Sequence, residues 1–75
     1  MCNEKEKQRA FNSIQRLKEF LRDNEMFLDE EIKKMVKDYL ADAEYFFEKG
    51  DYFSSFGASD YAYGLIEGNI YCKRK

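Results

Sequence analysis

The 75-residue sequence has no histidine, no proline and no tryptophan, and it has only two cysteines, Cys2 and Cys72. Without histidine an ordinary Ser–His or Cys–His nucleophile pair cannot form, so hydrolases of those types are excluded. Two isolated cysteines offer neither the CxxC nor the Cys/His spacing of a structural zinc site. We therefore expect a protein that is not an enzyme, needs no cofactor or metal, and keeps both thiols free in a reducing cytoplasm.

Long apolar runs are also missing, so the sequence offers no signal peptide and no membrane-spanning helix. It predicts a cytoplasmic protein with no membrane association. The length allows one domain, which we place at residues 1–75. Charges of both signs are mixed along the chain, whose net charge is −2. Such mixing is typical of solvated faces and argues against nucleic-acid binding, which would have to use Arg9, Arg16 and the basic tail.

Apolar residues recur at helical spacing in three segments of the chain. They predict a first helix over about residues 3–22, a second over about 29–49 and a third over about 51–71. Asp29 is the predicted N-cap of the second helix, because its carboxylate can accept the unpaired amides of the first turn. Each helix has one apolar face, and three such faces can enclose a single core.

Gly50 and Asp51 separate the second helix from the third. Glycine readily takes the left-handed conformation that ends a helix, and Asp51 immediately offers an N-cap for the next one. The sequence therefore predicts a tight antiparallel αα-hairpin. The predicted fold class is all-α, a three-helix antiparallel bundle with no β-sheet.

Asp42 and Asp60 form the first candidate site. In a hairpin with this turn, Asp42 stands near the height of Ser59 and Asp60, and both carboxylates lie beside the apolar stripes. Two partly desolvated carboxylates could share a proton, bind a divalent cation or act in acid–base catalysis, with Tyr63 completing a ligand face. The alternative is that each carboxylate flanks its stripe and bonds a tyrosine or water.

Three glycines, Gly57, Gly64 and Gly68, lie along one side of the third helix. Each interior glycine costs a helix roughly 1 kcal/mol relative to alanine, so three of them need a reason. None belongs to a phosphate-binding loop pattern. We expect that they allow a neighbouring helix to approach closely, either inside the chain or from another copy.

Thirteen aromatic rings, seven Phe and six Tyr, are more than one small core can be expected to bury. Phe27, Phe53, Tyr61 and Tyr71 lie off the apolar stripes. Because tyrosine is enriched at protein interfaces, these rings predict self-association or a partner surface.

The run "DYLADAEYFFEKGDYFSSFGASDYAYGLIEG" resembles a family of small archaeal proteins known as domain of unknown function 357. The resemblance covers roughly residues 39–68. Asp60 and Leu65 depart from the family pattern, the second by replacing a tryptophan, and Glu67 replaces an aspartate. The matching positions are Asp42, Ala43, Tyr45, Phe46, Glu48, Lys49, Gly50, Asp51, Tyr52, Phe56, Tyr61, Ala62, Tyr63 and Gly64.

The resemblance implies a compact helical domain, archaeal and cytoplasmic, with no established activity. Some relatives look like accessory domains fused to nucleotidyltransferase-like proteins, which implies a role beside such an enzyme. Together, the sequence and the resemblance favour a non-enzymatic interaction or accessory module that binds itself and an unidentified protein. The alternative is binding of a small ligand or divalent metal on the face of the second and third helices.

Overall fold

A computed structural model describes residues 3–73, which form three α-helices and one short 3₁₀ turn. Helix α1 spans Asn3–Asn24, the 3₁₀ turn spans Glu25–Phe27, α2 spans Glu30–Glu48 and α3 spans Tyr52–Lys73. No β-strand occurs among these residues. The predicted all-α three-helix bundle is confirmed, and the helix ends differ from the predicted ones by at most two residues.

The turn between α2 and α3 is built as the sequence predicts. Gly50 has a φ of +83°, in the left-handed region that glycine enters without steric penalty. The Asp51 amide donates to the Phe46 carbonyl at 2.9 Å and the Gly50 amide to the Phe47 carbonyl at 3.1 Å, the two bonds of a Schellman motif. The Asp51 carboxylate then caps α3 by accepting the Ser54 amide at 3.1 Å.

Asp29 occupies the N-cap position of α2, but its side chain does not cap the helix. Its carboxylate accepts Nδ2 of Asn69 at 3.1 Å, and its backbone amide donates to Oδ1 of Asn69 at 3.0 Å. The predicted side-chain cap is therefore wrong. The two bonds to Asn69 instead tie the start of α2 to the end of α3, using a partner 40 residues away in the sequence.

Helix α3 is the central element of the bundle. It packs extensively along both α1 and α2, whereas α1 and α2 contact each other much less. The molecule is elongated, with Cα extents of 46 × 17 × 15 Å. Its main buried cluster consists of Leu17, Leu21, Leu28, Val36, Ala62 and Ile66.

Small side chains on α3 face the other two helices. Ser55 and Ser59 are completely buried. The Ser55 hydroxyl donates to the Ala43 carbonyl of α2 at 2.7 Å, and the hydroxyls of Ser59 and Ser13 of α1 are hydrogen-bonded at 2.8 Å. Because a buried hydroxyl needs a partner, these two bonds fix how α3 is rotated between its neighbours.

Candidate functional site

The side of α3 that points away from α1 and α2 carries large apolar residues in solvent. Phe53 is 85% exposed, Tyr71 is 68% exposed and Tyr61 is 53% exposed. A helix surface that is exposed normally carries charge, yet α3 has only three charged residues among 22, whereas α1 has ten among 22. We call this surface the outer face of α3, and it consists of Phe53, Gly57, Tyr61, Gly64, Gly68 and Tyr71.

The three glycines of α3 lie on this outer face. A Cβ atom added at Gly57, Gly64 or Gly68 would meet nothing within 4 Å. The prediction that they pack against a neighbouring helix of the same chain is therefore wrong within residues 3–73. Serine and alanine take that role, and close approach of another copy stays a prediction.

The predicted off-stripe aromatics are confirmed as exposed. Phe27, in the 3₁₀ turn, is 56% exposed, in addition to the three rings of the outer face. The Tyr61 ring is held in place by an edge contact to Tyr39 of α2, with 4.9 Å between ring centroids. This contact fixes Tyr61 at the edge of the outer face.

A shallow groove continues the outer face towards the end of α1. Its volume is about 580 Å³, and Phe20 and Asn24 form the α1 side while Gly64, Gly68 and Tyr71 form the α3 side. The Asn24 side-chain amide donates to the Phe20 carbonyl at 2.9 Å, so the polar wall is held in one position. The missing side chains at the two glycines create the space of this groove.

Several residues of the family pattern surround the hairpin turn. Phe47 and Tyr52 make an edge contact across the turn, with ring centroids 5.2 Å apart. Tyr45 contacts Phe46 at 5.7 Å, and the Lys49 ammonium lies 5.6 Å from the centroid of the Tyr45 ring. Together with the Schellman motif, these contacts give that part of the pattern a structural role in closing the hairpin.

The carboxylates proposed as a pair are both exposed. Tyr39 contacts Tyr61, and the Ala43 carbonyl accepts from Ser55, so α2 and α3 run in a register that puts Asp42 level with Gly57. Asp60 lies about three residues, or roughly 4.5 Å, further along α3. This offset is less than one helical turn, so close approach of the two carboxylates stays a prediction.

Neither Asp42 nor Asp60 forms a hydrogen bond or salt bridge within residues 3–73, so the tyrosine-bonded alternative is not observed either. The Tyr63 ring stacks on Phe20 of α1 at 4.4 Å, and the Arg16 guanidinium lies 5.1 Å from its centroid. Tyr63 thus belongs to the contact between α1 and α3. The described part of the chain also contains no group of three or more Asp, Glu, Cys or His side chains placed to hold a metal ion.

Cys72 is an exposed free thiol near the end of α3, and Cys2 lies outside the described residues. Among residues 3–73, no helix combines the length and the hydrophobicity needed to cross a membrane.

These features define a class: an all-helical domain with a tight helical hairpin and an exposed apolar helix face. The family model described as "Protein of unknown function (DUF357)" matches residues 4–73, and the chain belongs to this family. The resemblance noted in the sequence is thereby confirmed and extends over α1. No curated protein and no solved structure shows a significant match to the chain.

Proposed function

We propose that the chain is a non-enzymatic protein–protein interaction module, and that its outer face of α3 pairs with the same face of a second copy. This proposal rests on one observation, the small number of charged residues on α3. A helix with large apolar side chains and little charge on several sides is normally covered on those sides, and α1 and α2 cover only part of α3. A second copy would cover the remainder.

The glycines support a helix as the occupant of this face. Each one weakens α3 by roughly 1 kcal/mol relative to alanine and has no packing role within residues 3–73. Glycines four residues apart, such as Gly64 and Gly68, let the backbone of a second helix come close. The exposed aromatic rings of the second copy are large enough to fill the space left beside these glycines.

The outer face is complementary to itself in one arrangement. If two α3 helices pair antiparallel about a two-fold axis between Ala62 and Tyr63, each Tyr61 lies level with Gly64 of the second copy. In the same register Gly57 is level with the second copy's Gly68. Both contacts occur twice, as in any isologous interface.

The area is sufficient for a weak dimer. An aromatic side chain can bury 150–250 Å², so the exposed parts of Phe53, Tyr61 and Tyr71 provide about 400 Å² per copy. Two copies, together with the backbone at the glycines, approach the roughly 1,000 Å² that a specific interface requires. We therefore expect reversible association that depends on protein concentration.

The test is sedimentation equilibrium over a range of concentrations up to millimolar. The mass of the 9.0 kDa chain should approach twice that value as concentration rises. The Gly64→Leu variant should stay monomeric, because its side chain fills the space that Tyr61 of the second copy would occupy. A Cβ atom at this exposed position has open space and leucine has a better helix propensity than glycine, so we expect the variant to fold, which circular dichroism checks.

Ala41→Leu, at an exposed position of α2, is the matched control and should leave association unchanged. If the wild-type chain stays monomeric at millimolar concentration, the proposal that a second copy covers the outer face of α3 is wrong. If the wild type and Gly64→Leu associate equally, the dimer does not form through the outer face of α3.

A further inference from the structure

A second surface, formed by α1 and α3 near the start of both helices, has a different chemistry. A groove of about 500 Å³ runs along α1, with the Phe56 ring as its α3 side. Lys5, Arg9 and Arg16 supply three positive charges along it, and none of the described carboxylates lines it. We call it the basic groove. It is separate from the outer face of α3, because Phe56 projects towards α1.

The cations of the basic groove have no carboxylate partner within residues 3–73. Within residues 3–73, Lys5, Arg9 and Arg16 form no salt bridge, whereas Lys18 and Lys37 each contact a carboxylate at 3.2 Å or less. Three unpaired cations on one helix face of a chain with net charge −2 concentrate positive potential locally. The ligand that this potential selects is an anion.

The polar side chains between the cations are already oriented. Nε2 of Gln8 donates to Oδ1 of Asn12 at 3.0 Å, which satisfies the acceptor of Asn12 and leaves its amide hydrogens as donors. Ser13 is fixed by its bond to Ser59, and Arg16 is held over the Tyr63 ring. Donors held in place lose less freedom when they bind a ligand.

Phe56 adds an apolar, flat surface to this set of donors, and it is only half-buried. Arginine guanidiniums also stack on flat rings. A group that combines negative charge with a planar ring uses both parts of the groove, as bases and phosphates do on single-strand-binding surfaces. The volume lies in the range of small-molecule sites, about 300–1,000 Å³.

We propose that the basic groove binds a nucleoside phosphate, with its phosphates on Arg9, Arg16 and the Asn12 amide and its base on Phe56. The same chemistry is offered by a free nucleotide and by a nucleotide within a single strand. The mixed charges of the sequence hide this site, because Glu4 and Glu6 flank Lys5 in the chain but do not line the groove.

The test is titration of the ¹⁵N-labelled protein with ATP, followed by amide shifts and calorimetry. We expect shifts concentrated at Asn12, Ser13 and Phe56, and affinity for ATP above that for tripolyphosphate or adenosine alone. Arg9→Gln should weaken ATP binding about tenfold, as expected for a charged hydrogen bond. Arg9 is exposed and forms no hydrogen bond or ion pair within residues 3–73, so we expect this variant to keep the fold.

Lys34→Gln, which removes the same charge from an exposed position of α2, is the control and should bind ATP like the wild type. A single-stranded oligothymidylate of about ten nucleotides separates the two sources. If ATP binds, the ligand of the basic groove is a free nucleotide. If only the oligonucleotide binds, and Arg9→Gln weakens that binding, the ligand is a nucleotide within a single strand. The proposal is overturned by no shift at millimolar ATP and strand, by equal effects of Arg9→Gln and Lys34→Gln, or by tripolyphosphate binding as tightly as ATP.

Discussion

At the scale of single residues, Gly50 differs in kind from the three glycines of α3. Gly50 has a positive φ that an L-residue adopts at a cost, whereas Gly64 is helical with open space where its Cβ would be. The same substitution should therefore have opposite effects at the two positions. A substitution at Gly50 changes the stability of the fold, whereas Gly64 lies on the surface where a second copy is proposed to bind.

We expect Gly50→Ala to lower the free energy of unfolding by about 1–2 kcal/mol, because alanine is strained in the left-handed region. Gly64→Ala should raise it by about 0.5–1 kcal/mol, because alanine is the better helix former. Urea denaturation followed by circular dichroism measures both, at micromolar protein so that association does not contribute. Destabilisation by Gly64→Ala would show that the glycine is needed within the fold.

Residue patterns predicted local features well and the orientation of side chains poorly. Gly50 and Asp51 form the predicted turn because both act on amides and carbonyls within a few residues. Asp29 was assigned to its own helix by the same reasoning, but a competing partner, Asn69, lies 40 residues away. No local pattern contains that information.

At the scale of elements, the rotation of α3 decides which residues meet the other helices. Helical spacing predicts an apolar stripe on α3, and it gave the right general side of the helix, since Ser59 and Ile66 are buried. The stripe consists of Tyr52, Phe56, Ser59, Tyr63, Ile66 and Ile70. It missed Ser55 and Ala62, which are equally buried. The glycines were assigned to a helix contact because small residues permit close approach, but the serines and alanines of α3 have that same property.

Ser55 tests this rotation. We expect Ser55→Leu to lower the free energy of unfolding by about 1–3 kcal/mol, because the larger side chain has no space beside Ala43 and the bond to the Ala43 carbonyl is lost. Chemical denaturation provides the measurement. Asp60→Leu, at an exposed position of the same helix, should change stability by no more than about 0.5 kcal/mol. Similar losses in both variants would contradict the observed rotation.

The candidate sites show the same limit of sequence reasoning. The exposed rings were recognised because they fall off the helical stripes, which is a property of spacing alone. The distance between Asp42 and Asp60 could not be predicted, because it depends on how α2 and α3 are rotated, and contacts such as Tyr39 with Tyr61 set that rotation. The basic groove was hidden because charges that alternate in sequence separate onto different faces of α1.

At the scale of the whole molecule, the elongated shape distinguishes one mode of pairing from others. The chain is 46 Å long and at most 17 Å across in Cα extents. Antiparallel pairing along α3 would widen the particle and leave its length nearly unchanged. Pairing through an end, for example through exposed Phe27, would nearly double the length.

Small-angle X-ray scattering at increasing concentration should therefore show a rise in mass with little change in the maximum dimension. Added salt should favour this dimer, because pairing brings Asp60 near Glu67 of the second copy and salt screens that repulsion. Salt should weaken ATP binding in the basic groove, where the attraction is electrostatic. A maximum dimension that approaches twice the monomer's would contradict pairing along α3.

The turn at Gly50 and Asp51 also bears on how the chain folds. Because α2 and α3 are joined by a closed, self-capped turn, the contacts next to the turn join residues that are close in sequence and require little loop-closure entropy. Domains dominated by such local contacts fold in microseconds to milliseconds. Since the chain has no proline, no prolyl isomerisation delays this step. The hairpin can therefore form first and offer α1 a preformed surface on α3.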